Sequence, residues 1–386
     1  MTDLSAGPLP KVKQMTDSFL LTLLRLSLHP SAELSPTPPD IDWSSVRELA
    51  SAQKVTAIAW DGYARLYEAG MVTVDMDRAV KKEWLATVLQ SFDQYYPRYR
   101  AAIGKLASFY AKHGIRMMVL KGYGLSLNYP VPMHRPCGDV DFWNFGEYER
   151  ADKVLEEGLG IPVNRSHHHH TTFHIDGLLF ENHYDFVNVH AHPSSKVVEA
   201  RLKELAGAGE ETVDIDGHQI FLPSPDFNAL FLLRHTAAHF AAAKMNIRQI
   251  LDWGTFVQKY HDRVDWNGLE AFVDSVGMLP FYQILNGICV DYLGFEAGDF
   301  PGGLSPAGFG STGRHPDEAR VMEDVLCPEF TAPCPSFLLS QWLWRYRRWR
   351  AGSWKHRLVY PESLLRTFLV QLKSHLMKPA EMGKIG

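Results

Sequence analysis

Asp176-Gly177 stands between two strand-like runs, His170 to Ile175 and Leu178 to His190. Such a pair closes a two-residue hairpin because both positions tolerate positive φ, which follows the natural twist of paired strands. Further strand signals lie upstream. Ile115-Arg116-Met117-Met118-Val119-Leu120 is short, mostly apolar and set between Gly114 and Gly122, which suits a buried strand. Val140-Asp141-Phe142-Trp143 reads as another, and Glu147 to Leu159 as a helix ending near Gly158 and Gly160. Residues 111–222 are therefore expected to form a small α/β or α+β core, and the hairpin makes its sheet a mixed one.

Helical periodicity governs both flanks, giving an α+β chain with an N-terminal helical region over 1–110 and a C-terminal one over 223–386. Leu20, Leu23, Leu24 and Leu28 keep the spacing of one buried helical face, with Phe19 beside them. Pro30 and Ser35-Pro36-Thr37-Pro38-Pro39 break the chain, and Asp42-Trp43-Ser44-Ser45 starts a second helix with Asp or Ser as N-cap. Residues 82–112 read as two helices divided near Pro97. After Pro225 the pattern predicts helices over 228–243, 248–260 and 269–293, a long Gly- and Pro-rich loop over 296–316, and a helical tail over 336–378 rich in Trp and Arg.

Composition narrows the class. At about 150 residues per domain, 386 residues suggest two or three folding units. The balance of 39 Lys and Arg against 44 Asp and Glu, a net charge of −5, excludes a polycation that coats nucleic acid through bulk charge. With 46% hydrophobic and 12% aromatic residues the chain is too apolar for disorder. No window approaches the roughly 18 uninterrupted apolar residues of a membrane-spanning helix. The first residues lack the apolar stretch of a secretory signal. Cys137, Cys289, Cys327 and Cys334 form no C-x2-C pair and no disulfide framework; Cys327 and Cys334 either pair or stay as free thiols. A reduced, cytoplasmic setting is the expectation.

The chemistry concentrates between Leu120 and Trp143. Asp139 and Asp141 are two apart on an expected strand, so their carboxylates share a face. Two carboxylates that close repel unless a cation sits between them, and hard oxygen ligands suit Mg²⁺. Upstream, a strand ending in Lys121-Gly122 and running into a helix would offer backbone N–H groups to a phosphate. On the strand through Glu181, alternation puts Glu181, His183 and Asp185 on one face.

In order and spacing, Leu120-Lys121-Gly122 with Ser126 and Tyr129-Pro130, followed by Arg135-Pro136 and Gly138-Asp139-Val140-Asp141-Phe142-Trp143, resembles the polymerase-β-like nucleotidyltransferase superfamily, and more closely its branch of uncharacterised nucleotidyltransferases. The resemblance extends over most of the chain, although Tyr123 follows Gly122 where the wider superfamily carries Gly or Ser. It implies a mixed-sheet nucleotidyltransferase core, an NTP substrate, an acceptor hydroxyl and two Mg²⁺ ions. In that scheme Asp139 and Asp141 bind the metals and Glu181, in an acid-x-His pattern with His183, supplies the third carboxylate, with Asp185 in reserve. Lys121 and Gly122 meet the triphosphate, and Arg135 steadies the loop or the leaving pyrophosphate. A noncatalytic nucleotide- or partner-binding descendant is the alternative, as is a toxin-like enzyme acting on tRNA.

Three further clusters carry open readings. His167-His168-His169-His170, with His174, His183, His190 and His192, is either a zinc site or a polar edge strand, and its spacing and lack of Cys partners match no usual zinc pattern. His235 and His239 lie four apart on a helix without the Glu of H-E-x-x-H, so they read as packed or hydrogen-bonded residues lining the cleft. Arg248 either contacts the nucleotide or pairs with Asp252. The tail from Trp342 to Arg357 is either an RNA- or membrane-contacting patch or a helix whose Trp rings pack inward while Arg stems reach outward.

Overall fold

The computed structural model describes residues 11–190, 192–207, 210–242, 245–301, 315–328, 330, 335–336 and 338–367. It opens with α1 (Lys11–Leu28), α2 (Trp43–Ala52), α3 (Thr56–Glu68), α4 (Arg78–Val88) and α5 (Tyr95–Lys112). The spaced leucines of α1 are buried as their period predicts, and so are Phe19, Leu21 and Leu26, because α1 packs against α2, α3 and a later helix at once. Asp42 caps α2, its carboxylate accepting from Ser44 N and Ser45 N. The division expected near Pro97 falls at a wide π-turn, Leu89–Asp93, where Gln94 N donates to Leu89 O. Pro97 sits in the first turn of α5, where its missing N–H leaves no bond unmade.

The core combines α6 (Tyr123–Ser126) and α7 (Tyr148–Leu159) with six strands: β1 (Met118–Val119), β2 (Val140–Trp143), β3 (His170–Ile175), β4 (Leu178–His183), β5 (Glu210–Ile215) and β6 (His218–Pro223). Their order is β3-β4-β2-β1-β6-β5. The pairs β2/β4 and β1/β6 are parallel and the rest antiparallel, so the sheet is mixed and the fold α+β. The expected strand over 115–120 shrinks to β1, with Phe221 N to Met117 O and Leu120 N to Asp141 O extending its pairing by one residue at each end. Asp176 and Gly177 turn the β3/β4 hairpin with φ of +52° and +78°. Asp216-Gly217 repeats that turn for β5/β6; the sequence reading passed over this second hairpin. β4 stops at His183 instead of continuing to His190, since Asp185 leaves the sheet to pair with Lys203.

After the sheet come α8 (Pro193–Ala206), α9 (Pro225–Ala241), α10 (Ile247–Tyr260), α11 (Trp266–Ser275), α12 (Leu279–Leu293), α13 (Glu318–Leu326) and α14 (Leu338–Val359). The single helix expected over 269–293 is two helices, parted at Gly277, whose φ of +73° and close approach to Pro361 exclude a side chain. Residues 302–314 of the expected loop, residues 368–378 of the expected tail and Cys334 lie outside the described residues. No helix among the described residues is long and apolar enough to cross a membrane.

The two faces of the sheet have different partners. Val119, Val140, Phe142, Phe173 and Phe180 pack with Tyr99, Ile103 and Tyr110 of α5 and with Leu155 of α7. Thus α5, from the N-terminal helical stretch, belongs to the sheet's own core. Met118 and Leu120 point the other way into a second cluster, shared by helices from both ends of the chain, that contains Phe227 and Phe231 of α9. Asp141, Glu181 and His183 alternate with the first set, so they project toward the α9 side.

Candidate functional site

Strand register builds the site. In the parallel β2/β4 pair Asp141 stands directly beside Glu181, and Trp143 beside His183. Asp141 is buried, its Oδ1 lying 2.7 Å from Lys121 Nζ and 3.0 Å from His183 Nε2. His183 Nε2 is also 3.7 Å from Glu181 Oε2, and His170 Nε2 is 3.7 Å from Glu181 Oε1. Glu181 is the more accessible carboxylate, its side chain 18% exposed against 1% for Asp141.

Electrostatics divide the labour among these groups. Burial pushes the Asp141 carboxyl up, but the Lys121 ammonium and the His183 hydrogen bond outweigh it and hold the group well below the ordinary carboxylate range. His183 is the counterpart: burial favours its neutral form, yet hydrogen bonding to Asp141 and Glu181 raises its pKa to about 9. Lys121 is raised as well, the attraction of Asp141 and Asp139 overcoming its burial. Asp139 lies in the bend before β2 and exposes surface to solvent. Even so, the protein around it raises its pKa, Asp141's charge adds to that, and Lys121 opposes both.

The expected phosphate junction is shorter than its sequence suggests. Lys121-Gly122 leads into a single turn, α6, rather than a long helix. Gly122 adopts φ +53° and ψ −105°, and a Cβ there would collide with the Tyr99 hydroxyl. Only glycine fits. Lys121 points away from this turn to Asp141, and its Nζ is 3.4 Å from His235 Nε2 on α9. Burial and the Lys121 charge keep His235 neutral, so its ring offers a lone pair to the ammonium. His239 Nε2 lies 3.2 Å from His235 Nε2, so the two rings pack and hydrogen-bond along one face of α9.

Arg135 is buried, and its directions are taken. Nε and one terminal nitrogen grip Asp252 at 3.0 and 2.8 Å, while the other donates to Gly122 O and Pro136 O. These contacts tie the guanidinium to the loop at Gly122 and Pro136 and to α10 at Asp252. Arg248 pairs with Asp252 at 3.3 Å, and Tyr129 donates to the same carboxylate. His134 had no sequence signal. Its ring bridges Asp61 of α3 and Asp93 of the π-turn, both far away in sequence.

The histidine tract divides. His170 faces His183 across the β3/β4 hairpin, and His169, His170 and His183 each bring a ring nitrogen within 4.8 Å of the others. Asp141, Glu181 and His183 form a second such group. Its two carboxylates fit a divalent cation. Asp139 joins neither trio but is close enough to bear on the charges of Lys121 and Asp141. Asp185, the reserve carboxylate, is held by Lys203 at 2.6 Å. In the tail, Trp354 packs on Phe240 while Tyr346 and Trp349 stay exposed.

No curated protein matches this chain. One solved structure, that of an antigenic nucleotidyltransferase-like protein from Paracoccidioides brasiliensis, is similar over 41% of this chain and 74% of its own, at 16% identity and a TM-score of 0.29; so loose a likeness carries no weight for the site. The sequence pattern of the uncharacterised nucleotidyltransferase family matches residues 39–294. That stretch takes in α2 through α12, with every site residue described above, and the chain belongs to the uncharacterised nucleotidyltransferase family.

Proposed function

We propose that this protein is a Mg²⁺-dependent nucleotidyltransferase, moving a nucleoside monophosphate from an NTP to an acceptor hydroxyl with release of pyrophosphate. The register that sets Asp141 beside Glu181, within reach of Lys121, carries the reading. Asp139, Asp141 and Glu181 would hold two Mg²⁺ ions, which when bound neutralise triphosphate charge and activate the acceptor oxygen. Lys121, anchored between Asp141 and His235, sets a fixed positive charge beside the strand carboxylates for the triphosphate. Glu181, the accessible strand carboxylate, takes the acceptor's proton. Arg135 acts from behind, fixing the Gly122 carbonyl and hence the Lys121 turn. Positioning and charge neutralisation supply most of the rate. The acceptor enters on the side of the sheet that faces α9, because the carboxylates project there.

One observation favours a noncatalytic reading: Lys121 and His183 already satisfy Asp141. Incubation with each labelled NTP, Mg²⁺ and cell extract separates the two. Pyrophosphate release with a labelled product supports transfer. Mg²⁺-dependent stabilisation by a nucleotide, without pyrophosphate, supports a binding protein. If neither occurs, the proposal fails.

A further inference from the structure

The histidines beside this site do more than line it. His170 is 7% exposed, and among the described residues neither of its ring nitrogens has a hydrogen-bond partner; His169 Nδ1 is buried and unpartnered as well. Buried polar atoms left unpaired in this way are unusual in a folded protein. These aim at something: the rings of His169, His170 and His183 bring ligand nitrogens within 4.8 Å of one another, and Glu181 stands 3.7 Å from both His170 Nε2 and His183 Nε2. Ligand atoms about 2.0–2.2 Å from a tetrahedral ion lie roughly 3.3–3.6 Å apart, near the 3.7 Å that separates the two Glu181 oxygens from His170 and His183. The three rings, within 4.8 Å of one another, would draw in around the ion. His183 is also oriented for the task. Its Nδ1 faces the Asp185 carbonyl at 3.2 Å, which fixes the ring and directs Nε2 into the cluster. There Nε2 now meets Asp141 at 3.0 Å and would exchange that proton-bearing contact for the metal.

We propose that His169, His170 and His183, with Glu181 as fourth ligand, hold a divalent transition-metal ion of the zinc class. Three imidazoles and one carboxylate suit such an ion, whereas Mg²⁺ prefers oxygen and keeps its waters. The inference shares Glu181 with the transfer reading but does not rest on it, since its readout is metal binding and not turnover.

Co²⁺ titration of the full chain tests it, followed by the visible absorption of the bound ion and by displacement with Zn²⁺. One equivalent should bind with the spectrum of a low-coordinate, nitrogen-rich site, and a large excess of Mg²⁺ should not displace it. His170→Ala should weaken Co²⁺ binding by about 100-fold or more. His169→Gln, at a half-buried position where folding is less at risk, should weaken it at least about tenfold. Asp139→Asn should leave the spectrum and affinity unchanged. Failure to bind Co²⁺, displacement by Mg²⁺, full affinity in His169→Gln, or loss of the spectrum in Asp139→Asn would each overturn the site. Loss of pyrophosphate release with Co²⁺ binding intact would count against the transfer reading alone.

Discussion

Two clusters of buried charge lie on either side of the Lys121–Arg135 loop, and they differ in how completely they are satisfied. Around Asp252, both carboxylate oxygens are occupied: Oδ1 accepts from Tyr129 and Arg135, Oδ2 from Arg135 and Arg248. The carboxylate has no oxygen left over for a ligand, and of the described cations around it only Arg248 leaves a buried nitrogen, Nε, unpaired. Around Asp141 the accounting stays open. His170 has two unpaired nitrogens, Glu181 reaches the surface, and Asp139 keeps a raised pKa at the edge of the strand. Burying charge is unfavourable unless every group finds a partner, so the closed cluster reads as scaffold and the open one as a place built for something else. Charge alone does not mark a site; incomplete satisfaction does.

The contrast breaks most visibly under substitution. Asp252→Asn should remove about 3–5 kcal/mol of stability, because it leaves Arg135 buried without its counter-ion, and denaturant unfolding measures it. Wild-type stability in that variant would show that the closed cluster is not scaffold. At the exposed Asp139 the expectation reverses. Asp139→Asn should shift stability by less than about 0.5 kcal/mol while lowering turnover by roughly 100- to 1,000-fold, as for a lost transition-state contact. A further comparison sharpens the choice of third carboxylate. Glu181→Gln should reduce turnover by about 100-fold, whereas Asp185→Asn, which releases Lys203, should stay near wild type. The opposite ranking would move the site along the strand.

The smallest effect is a pH dependence. The pKa of His183 is raised on folding to about 9, so the folded state holds a proton that the unfolded chain gives up above about 6.5. Its contribution is complete below that pH and is lost as pH rises through 9, a decline on the order of 1–3 kcal/mol. His169 and His170 act oppositely. Burial lowers their pKa values to about 3 and about 2, so the unfolded chain binds protons that the folded one refuses, and stability falls as pH drops below 6.5. Stability should therefore peak near neutrality. Thermal unfolding across pH would show a flat alkaline limb in His183→Gln.

Local rules made the sheet legible. A two-residue Asp-Gly turn leaves little freedom in register: counting five steps back from Ile175 and forward from Leu178 sets His170 opposite His183, as found. Spacings within the histidine tract do not reveal this pairing; counting outward from the turn does. The same rule applied to Asp216-Gly217 finds β5/β6. What lies beyond local rules is the partnership of elements. No period in the sequence says that β4 lies beside β2, that Arg135 closes on Asp252, or that His134 joins Asp61 to Asp93. Those pairings form only when separate segments pack, and each spans 40 residues or more.

The π-turn at Leu89–Asp93 sets a rule for length rather than for composition. Closing that turn from Gln94 N to Leu89 O accommodates one more residue than an α-helical turn would. Excision of Ser91 would return the segment to ordinary helical winding, with no loss of apolar surface, and the helix itself would tolerate it. The rotation it imposes, about 100° per residue, would carry Asp93 away from the His134 ring it now meets at 3.1 Å. The chain would keep its helices and lose one mooring of the loop that leads to Asp139, so alignments among relatives should gap this turn less readily than its exposed surface would suggest.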